Sequence, residues 1–482
     1  MSSAVNKMLF NKKTNKIKTE IRKKSTNKAE FYRKFKDLAS SSTIHGIPNI
    51  LRSSNAFIKI LWSFFFLLSS GLCSYMVFLS VSNYFEYDVV TKVRIVDQAP
   101  ILFPTVLICN ANPFLTKESS AYIKQVLLSE MSLNITNLTK TEEYLYIANR
   151  LMPSFAASPF LNDSIKKSFG FPLEKILYYC SYNNKVCNAS DFTWHFDFSF
   201  GNCFKYNDGI SAEIKSASTP GNANGFTFIF LLPKLNNDIE FQAGAGLRII
   251  LYNNSHEPKI NEGIFVQPGK STFMQIKKTL INKQPYPYSE CSSLNKIDPE
   301  LSEYIKGSYR QHDCFELCLQ RMIIDKCGCY FLQYPKLFNS KPCLNFTLIS
   351  CARQEYKLQS EIGLKKKCSL SCPLECGSVL YDYSASVLDF PSVAYYKALK
   401  GEFEQRNGYA PSFEEMKQGS YALSIYYTQL EYTEISELVK TNVFDLFSNV
   451  GGTLGLFLGL SILSFIEVVE ILFEMAFLWI SF

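Results

Sequence analysis

Four glycines fall within nine positions in the run Gly451-Gly-Thr-Leu-Gly-Leu-Phe-Leu-Gly-Leu-Ser461, inside an otherwise apolar stretch near the C-terminus. Gly451, Gly455 and Gly459 are four apart, which lines them up on one helix face, with Gly452 beside them. Thr453, Ser461 and Ser464 bring hydroxyls to the same stretch, and Glu467, Glu470 and Glu474 follow at a spacing that shares a helix face. This set suits the handling of a cation at membrane depth. Glycine leaves backbone rather than side chain facing a pathway, carbonyls and hydroxyls replace part of a cation's hydration shell, and an intramembrane carboxylate is a functional candidate by default. Two plainer readings stand beside it: a Gly-x₃-Gly face that only packs helices together, and lower carboxylates that reach cytoplasmic water.

Such residues need membrane-crossing elements to hold them. Residues 60–81 run without a charge, and so do residues 446–466, each long enough to cross a ~30 Å hydrocarbon layer as a helix. The first run is no cleaved signal, because 59 residues precede it. Residues 1–40 carry 12 Lys/Arg against three acidic residues, in a chain whose net charge is +7. A basic segment just before a span follows the positive-inside rule and does not point to nucleic acid. The expected order is a cytoplasmic tail over 1–55, a first span over 56–82, an extracellular region over 83–445, a second span over 446–475 and a short cytoplasmic end over 476–482. Two signals agree with the outside placement. All 15 cysteines but Cys73 fall in the extracellular region. So do all six sequons, at Asn134, Asn137, Asn162, Asn188, Asn253 and Asn345.

Within that region, residues 225–235, 245–252 and 421–434 read as strands, and helical patterns appear around 142–151, 308–326 and 392–406. The mixture implies an α+β ectodomain. Cysteines cluster from Cys291 to Cys376. If the runs holding Cys314/Cys318 and Cys368/Cys372 lie antiparallel, Cys314 meets Cys372 and Cys318 meets Cys368, a two-rung disulfide ladder. Zinc is the alternative for such a cluster, though the spacing lacks the usual C-x₂-C knuckle. No Gly-x-Ser-x-Gly elbow, His-Glu-x-x-His or phosphate loop is present, so enzyme chemistry is not expected. No metal site or cofactor is expected either.

Several stretches in order carry a resemblance: His45-Gly46, FPTVLICN (103–110), GNCFKYN (201–207), PYPYSEC (285–291), YRQHDCFELCLQRMIIDKCGC (309–329), CSLSCPLEC (368–376) and GGTLGLFLGLSILSFIE (451–467). From His45 onward the chain resembles the degenerin/epithelial sodium channel family, and most of all its peptide-gated members of cnidarians, such as the Hydra sodium channels. The resemblance implies a trimer in the plasma membrane with both termini cytoplasmic. It implies two spans per subunit and an ectodomain of palm, finger, thumb (about 290–376), knuckle and β-ball. It also implies seven disulfides, Cys109–Cys203, Cys180–Cys187, Cys291–Cys376, Cys314–Cys372, Cys318–Cys368, Cys327–Cys351 and Cys329–Cys343.

The resemblance also assigns roles. Gly459-Leu460-Ser461 becomes the ion-selecting filter, and Ser448, Asn449, Gly451, Gly452 and Gly455 the pore mouth and gate. Glu467, Glu470 and Glu474 become pore carboxylates, and His45-Gly46 a cytoplasmic gating motif. Tyr87 would couple to Pro287 and Tyr288 at the base of the thumb. The implied function is a cation channel passing sodium, and by the sequence's departures also calcium, blocked by amiloride and opened by an extracellular neuropeptide of the amidated Arg/Phe type. The implied partners are membrane lipid, that peptide, and sister subunits in a homo- or heterotrimer. Leu460 stands where a small residue is common, which bears on sodium preference, and Asn449 where acid-sensing members have an aspartate. The stretch FEYDVVTK (85–92) lacks the histidines that acid-sensing relatives carry there, and the whole chain has four, His45, His195, His256 and His312. Proton, mechanical or constitutive gating, or a non-conducting two-pass receptor, are the other readings. The chain ends at Phe482 still apolar where relatives continue into a polar tail, so it is either truncated or nearly tailless.

Overall fold

The computed structural model describes residues 45–131, 151–210, 213–233, 245–258, 262–292, 297–305 and 307–481, with a few positions between 33 and 43. Most of the basic tail, all of the helical pattern at 142–151 but its last residue, and Asn134 and Asn137 lie outside the described residues. Contacts divide the chain into two units, Met1–Val90 with Val439–Phe482, and Thr91–Leu438.

The larger unit holds two larger sheets and a short antiparallel pair, β2 (Ile101–Leu102) with β8 (Ser216–Ala217). The first contains β1 (Val89–Asp97), β4 (Leu177–Tyr182), β5 (Lys185–Val186), β9 (Phe226–Leu231), β12 (Lys270–Asn282), β13 (Gly377–Asp389) and β14 (Ser420–Val439). Its order is β13-β12-β14-β9-β4-β5, with β1 on β14. Pairing is antiparallel for β12–β13 and β9–β14, and parallel for β12–β14. Along β12, Thr272, Met274, Ile276 and Lys278 are the buried positions, every second residue. The second sheet contains β3 (Thr105–Asn110), β6 (Phe192–Asp197), β7 (Gly201–Tyr206), β10 (Leu247–Tyr252) and β11 (Ile264–Val266), in the order β11-β10-β3-β7-β6. Phe226, Phe228 and Phe230 fill a shared core, where the Tyr206 ring stacks on Phe226 with centroids 3.9 Å apart. Strands expected at 225–235, 245–252 and 421–434 are thus β9, β10 and β14, with β14 longer than its pattern.

Helices flank these sheets: α3 (Lys117–Met131), α4 (Gln311–Cys327), α5 (Phe346–Ile362) and α6 (Val393–Asn407). Leu319 and Ile323 on α4 meet Ile349 and Ala352 on α5 in one buried cluster with Phe331. Asn345 caps α5, its side chain accepting the Leu348 N–H at 2.8 Å, and Asn162 accepts from Ser164 N–H at 3.1 Å. Both are sequon asparagines, and both caps use the oxygen rather than the amide nitrogen. The seven bridges are Cys109–Cys203, Cys180–Cys187, Cys291–Cys376, Cys314–Cys372, Cys318–Cys368, Cys327–Cys351 and Cys329–Cys343, the pairs that the resemblance implies. With these thiols oxidised, the cluster has no thiolates for zinc.

The smaller unit holds α1 (Ile47–Arg52), α2 (Ala56–Phe85), α7 (Val443–Leu458) and α8 (Ile462–Ser481). Asn55 caps α2 through the Phe57 N–H, and a reciprocal box of Asn442 and Asp445 caps α7. α2 is long and apolar enough to cross a membrane, and its Phe57, Ile60, Phe64, Leu67 and Phe78 side chains are exposed. It continues to Phe85, three residues past the expected span. The second apolar run is two helices, α7 and α8, bent by 71° at a short break, the geometry of a broken span or of a re-entrant loop. Lys440 joins the ends of this unit, its ammonium 2.8 Å from Asp88 and its N–H on the Asp88 carbonyl at 3.1 Å.

Candidate functional site

The break spans Gly459, Leu460 and Ser461. Gly459 adopts φ +69°, the left-handed cap that ends α7, and its N–H bonds the Gly455 carbonyl. Ser461 starts α8: its Oγ accepts the Ser464 N–H at 3.3 Å while the Ser464 Oγ accepts the Ser461 N–H at 3.1 Å. The last carbonyls of a helix have no partner within it, and here other elements supply them. The Ser69 hydroxyl on α2 donates to Phe457 O at 2.7 Å, and the His45 N–H donates to Leu458 O at 3.0 Å. Cys73, buried and unpaired, lies on α2 4.0 Å from Thr453 O.

His45-Gly46 therefore sits against the break. A Cβ on Gly459 would lie 1.8 Å from His45 Nδ1, so no side chain fits there even apart from the positive φ. Gly46, at φ +100°, precedes α1 and approaches the Phe66 ring of α2. Two residues before His45, the Thr43 hydroxyl donates to Glu467 Oε2 at 2.8 Å, its N–H reaches the same oxygen at 3.1 Å, and its Oγ1 lies 2.9 Å from Ser464 Oγ. Charge-assisted bonds of this kind are among the stronger ones. Thr43 was not singled out from the sequence; over four hundred residues separate it from Glu467, and no local pattern joins them.

The remaining candidates are placed as follows. Ser448, Asn449, Gly451 and Gly452 are exposed on α7, and nothing lies within 4 Å of a Cβ built on Gly451 or Gly452. Glu470 and Glu474 are exposed on α8, while Glu467 is half-buried. The Tyr87 ring lies 6.3 Å from those of Tyr84 and Phe85. Pro287 and Tyr288 form a turn closed by the Tyr288 N–H on Pro285 O. Asn188 and Asn345 are exposed, as is Asn162; Asn253 is half-buried.

Of the histidines in the larger unit, His195 lies on β6. Burial, with help from the Lys205 ammonium and against Glu257, pulls its imidazole down to about 4. It is neutral under mild acidification. Asp197, on the same strand, is pushed upward by burial, against N–H bonds from Phe200 and Ser199.

A helix long and apolar enough to cross a membrane and a glycine-broken apolar helix pair, joined in sequence to a disulfide-stapled α+β region, are parts from which a membrane channel can be built. A family model described as "Amiloride-sensitive sodium channel" matches residues 38–471. The chain belongs to this family, the degenerin/epithelial sodium channel family of plasma-membrane ion channels, which pass sodium and use no cofactor. Among its relatives are the FMRFamide-activated amiloride-sensitive sodium channel of Cornu aspersum, 25% identical over 91% of this chain and 82% of that one, and the bile acid-sensitive ion channel of Mus musculus, 27% identical over 96% and 92%. The acid-sensing ion channel 1C of Danio rerio is 26% identical over 90% and 82%.

Proposed function

We propose that this chain is one subunit of a trimeric, amiloride-blocked cation channel opened by an extracellular amidated neuropeptide, with both termini in the cytoplasm and its filter at Gly459-Leu460-Ser461. The observation that carries the conducting role is the 71° break between α7 and α8, where the His45 N–H donates to the Leu458 carbonyl that the break releases. Peptide opening is supported by similarity to a channel named for FMRFamide activation, and by a β6 histidine kept neutral where a proton sensor would titrate. Tyr87 with Pro287 and Tyr288, and the palm-to-thumb division, keep the roles that the resemblance gives them. So do the carboxylates Glu467, Glu470 and Glu474 and the gate residues Ser448 and Asn449. Leu460 leaves the filter without a small middle residue, and calcium permeation belongs to the same reading.

The test is expression in oocytes under voltage clamp, alone and then with sister subunits, of the chain with Ser448→Phe. A constitutive cation current blocked by amiloride is expected. Silence from channels delivered to the surface with sister subunits present would favour a non-conducting receptor.

A further inference from the structure

A cavity of about 360 Å³ opens in the larger unit between β6, the loop after β10 and the start of α4. Its walls combine two chemistries. The carboxylates of Asp197, Glu257 and Glu316 line it, and so do the rings of Phe198 and Tyr304. The rings are held from behind: Phe198 packs edge-on to Phe331 with centroids 5.5 Å apart, and the Tyr304 hydroxyl accepts the Phe338 N–H at 2.9 Å. A cavity whose walls are fixed before binding loses little entropy when it is filled.

Arg310 shows how a guanidinium is received here. It forks onto both oxygens of Asp313 at 2.8 Å and donates to the Glu257 carbonyl at 2.8 Å, clipping the start of α4 to the loop after β10. The Glu257 carboxylate, its side chain 57% exposed, pairs with the Lys205 ammonium at 3.3 Å, and Glu316, 37% exposed one turn along α4, lies 3.9 Å from His312 Nδ1. Four carboxylates, of Asp197, Glu257, Asp313 and Glu316, line the cavity with one guanidinium, Arg310, and the imidazoles of His195 and His312.

We infer that this cavity receives the C-terminal Arg-Phe-amide of the activating peptide, the guanidinium on Glu316 and Glu257 and the phenyl ring against Phe198 and Tyr304. This rests on the peptide-gated reading and gives it a site. The placement explains transmission as well. α4 carries Cys314 and Cys318, bridged to Cys372 and Cys368, and the following Leu374 pairs with Cys291, near the roots of β12 and β13. A ligand that pulls α4 against the second sheet thereby acts on a stapled column.

The experiment is a cycle between peptide and channel. FMRFamide and its analogue with citrulline for arginine are applied to the wild-type channel and to Glu316→Gln and Glu257→Gln. FMRFamide is expected to lose about tenfold in potency on Glu316→Gln, the size of one charged hydrogen bond. The citrulline peptide, already weak on wild type, is expected to lose little more. Equal losses for both peptides on both variants, or none, overturn the site while leaving peptide gating intact. Absence of any FMRFamide response, in a channel whose Ser448→Phe form conducts, overturns the peptide reading and this site with it.

Discussion

At Gly459 two constraints coincide, a left-handed φ that costs an L-residue about 1–2 kcal/mol and the His45 ring in the space of a Cβ. Gly459→Ala is expected to abolish most current per surface channel. His45→Ala in the same chain relieves the collision but not the backbone strain, so partial recovery is expected; none at all would mean that His45 does not hold this position. The partner of Glu467 gives a gentler test. Thr43→Val keeps the shape and removes the hydroxyl bonds to Glu467 and Ser464, and it is expected to shift the sodium-to-potassium permeability ratio, with Thr43→Ser restoring it. An unchanged ratio would reduce Thr43 to anchoring. His195 makes a pH prediction. Depressed to about 4 when folded and 6.5 otherwise, it binds protons more readily unfolded, so it leaves stability intact above pH 6.5 and erodes it as pH falls from 6.5 toward 4. Asp197, raised by burial, works in the opposite sense, favouring the folded state at low pH and losing that contribution as pH rises through its folded value. His195→Gln is therefore expected to flatten the acid-side fall in the melting temperature of the detergent-solubilised protein, and an unaltered fall would assign it to other groups. Glycine at 459 was legible from spacing and resemblance. The His45 contact that makes it obligatory was not, because a backbone bond across more than 400 residues leaves no trace in either segment.

Secondary elements divide along the same line. β9, β10 and β14 were legible because aromatic or β-branched residues fill them, not by alternation, since β9, β10 and the start of β14 are buried almost throughout. Hydropathy alone could not show that the second apolar run is two helices, since Gly459 and Ser461 are tolerated in a continuous span and only the cap geometry ends one. The Cys314–Cys372 and Cys318–Cys368 rungs were legible from their four-residue spacing, which places successive cysteines of α4 on one face. Bridges that close longer loops constrain the unfolded chain more. Cys314–Cys372 spans 58 residues and Cys180–Cys187 only seven. Removing the first as a paired Cys→Ala change is expected to lower the melting temperature more than removing the second, by an amount corresponding to about 1–2 kcal/mol. The reverse order would show that the short bridge secures the β4–β5 hairpin through native packing.

Across the whole molecule, the glycine face now separates its two readings. Within one chain α7 meets α2 through Phe457 O and Thr453 O, which face Ser69 and Cys73, while Gly451 and Gly452 face open space. Close packing against the chain's own first span is thus not what keeps side chains off these two positions. In a three-fold assembly they would face a neighbouring α7 or the ion path, where a side chain would obstruct. An exposed helical glycine replaced by leucine gains helix propensity, up to about 1 kcal/mol, so Gly451→Leu is expected to leave the stability of the single chain unharmed or improved. Cross-linking at the cell surface and current recorded from the same cells then decide what the glycine serves. Loss of the three-copy species locates Gly451 between subunits, and retention of that species with loss of current locates it on the conduction path. Wild-type assembly together with wild-type current would mean that the face meets only lipid, and the pore reading would then stand on the Gly459 break alone.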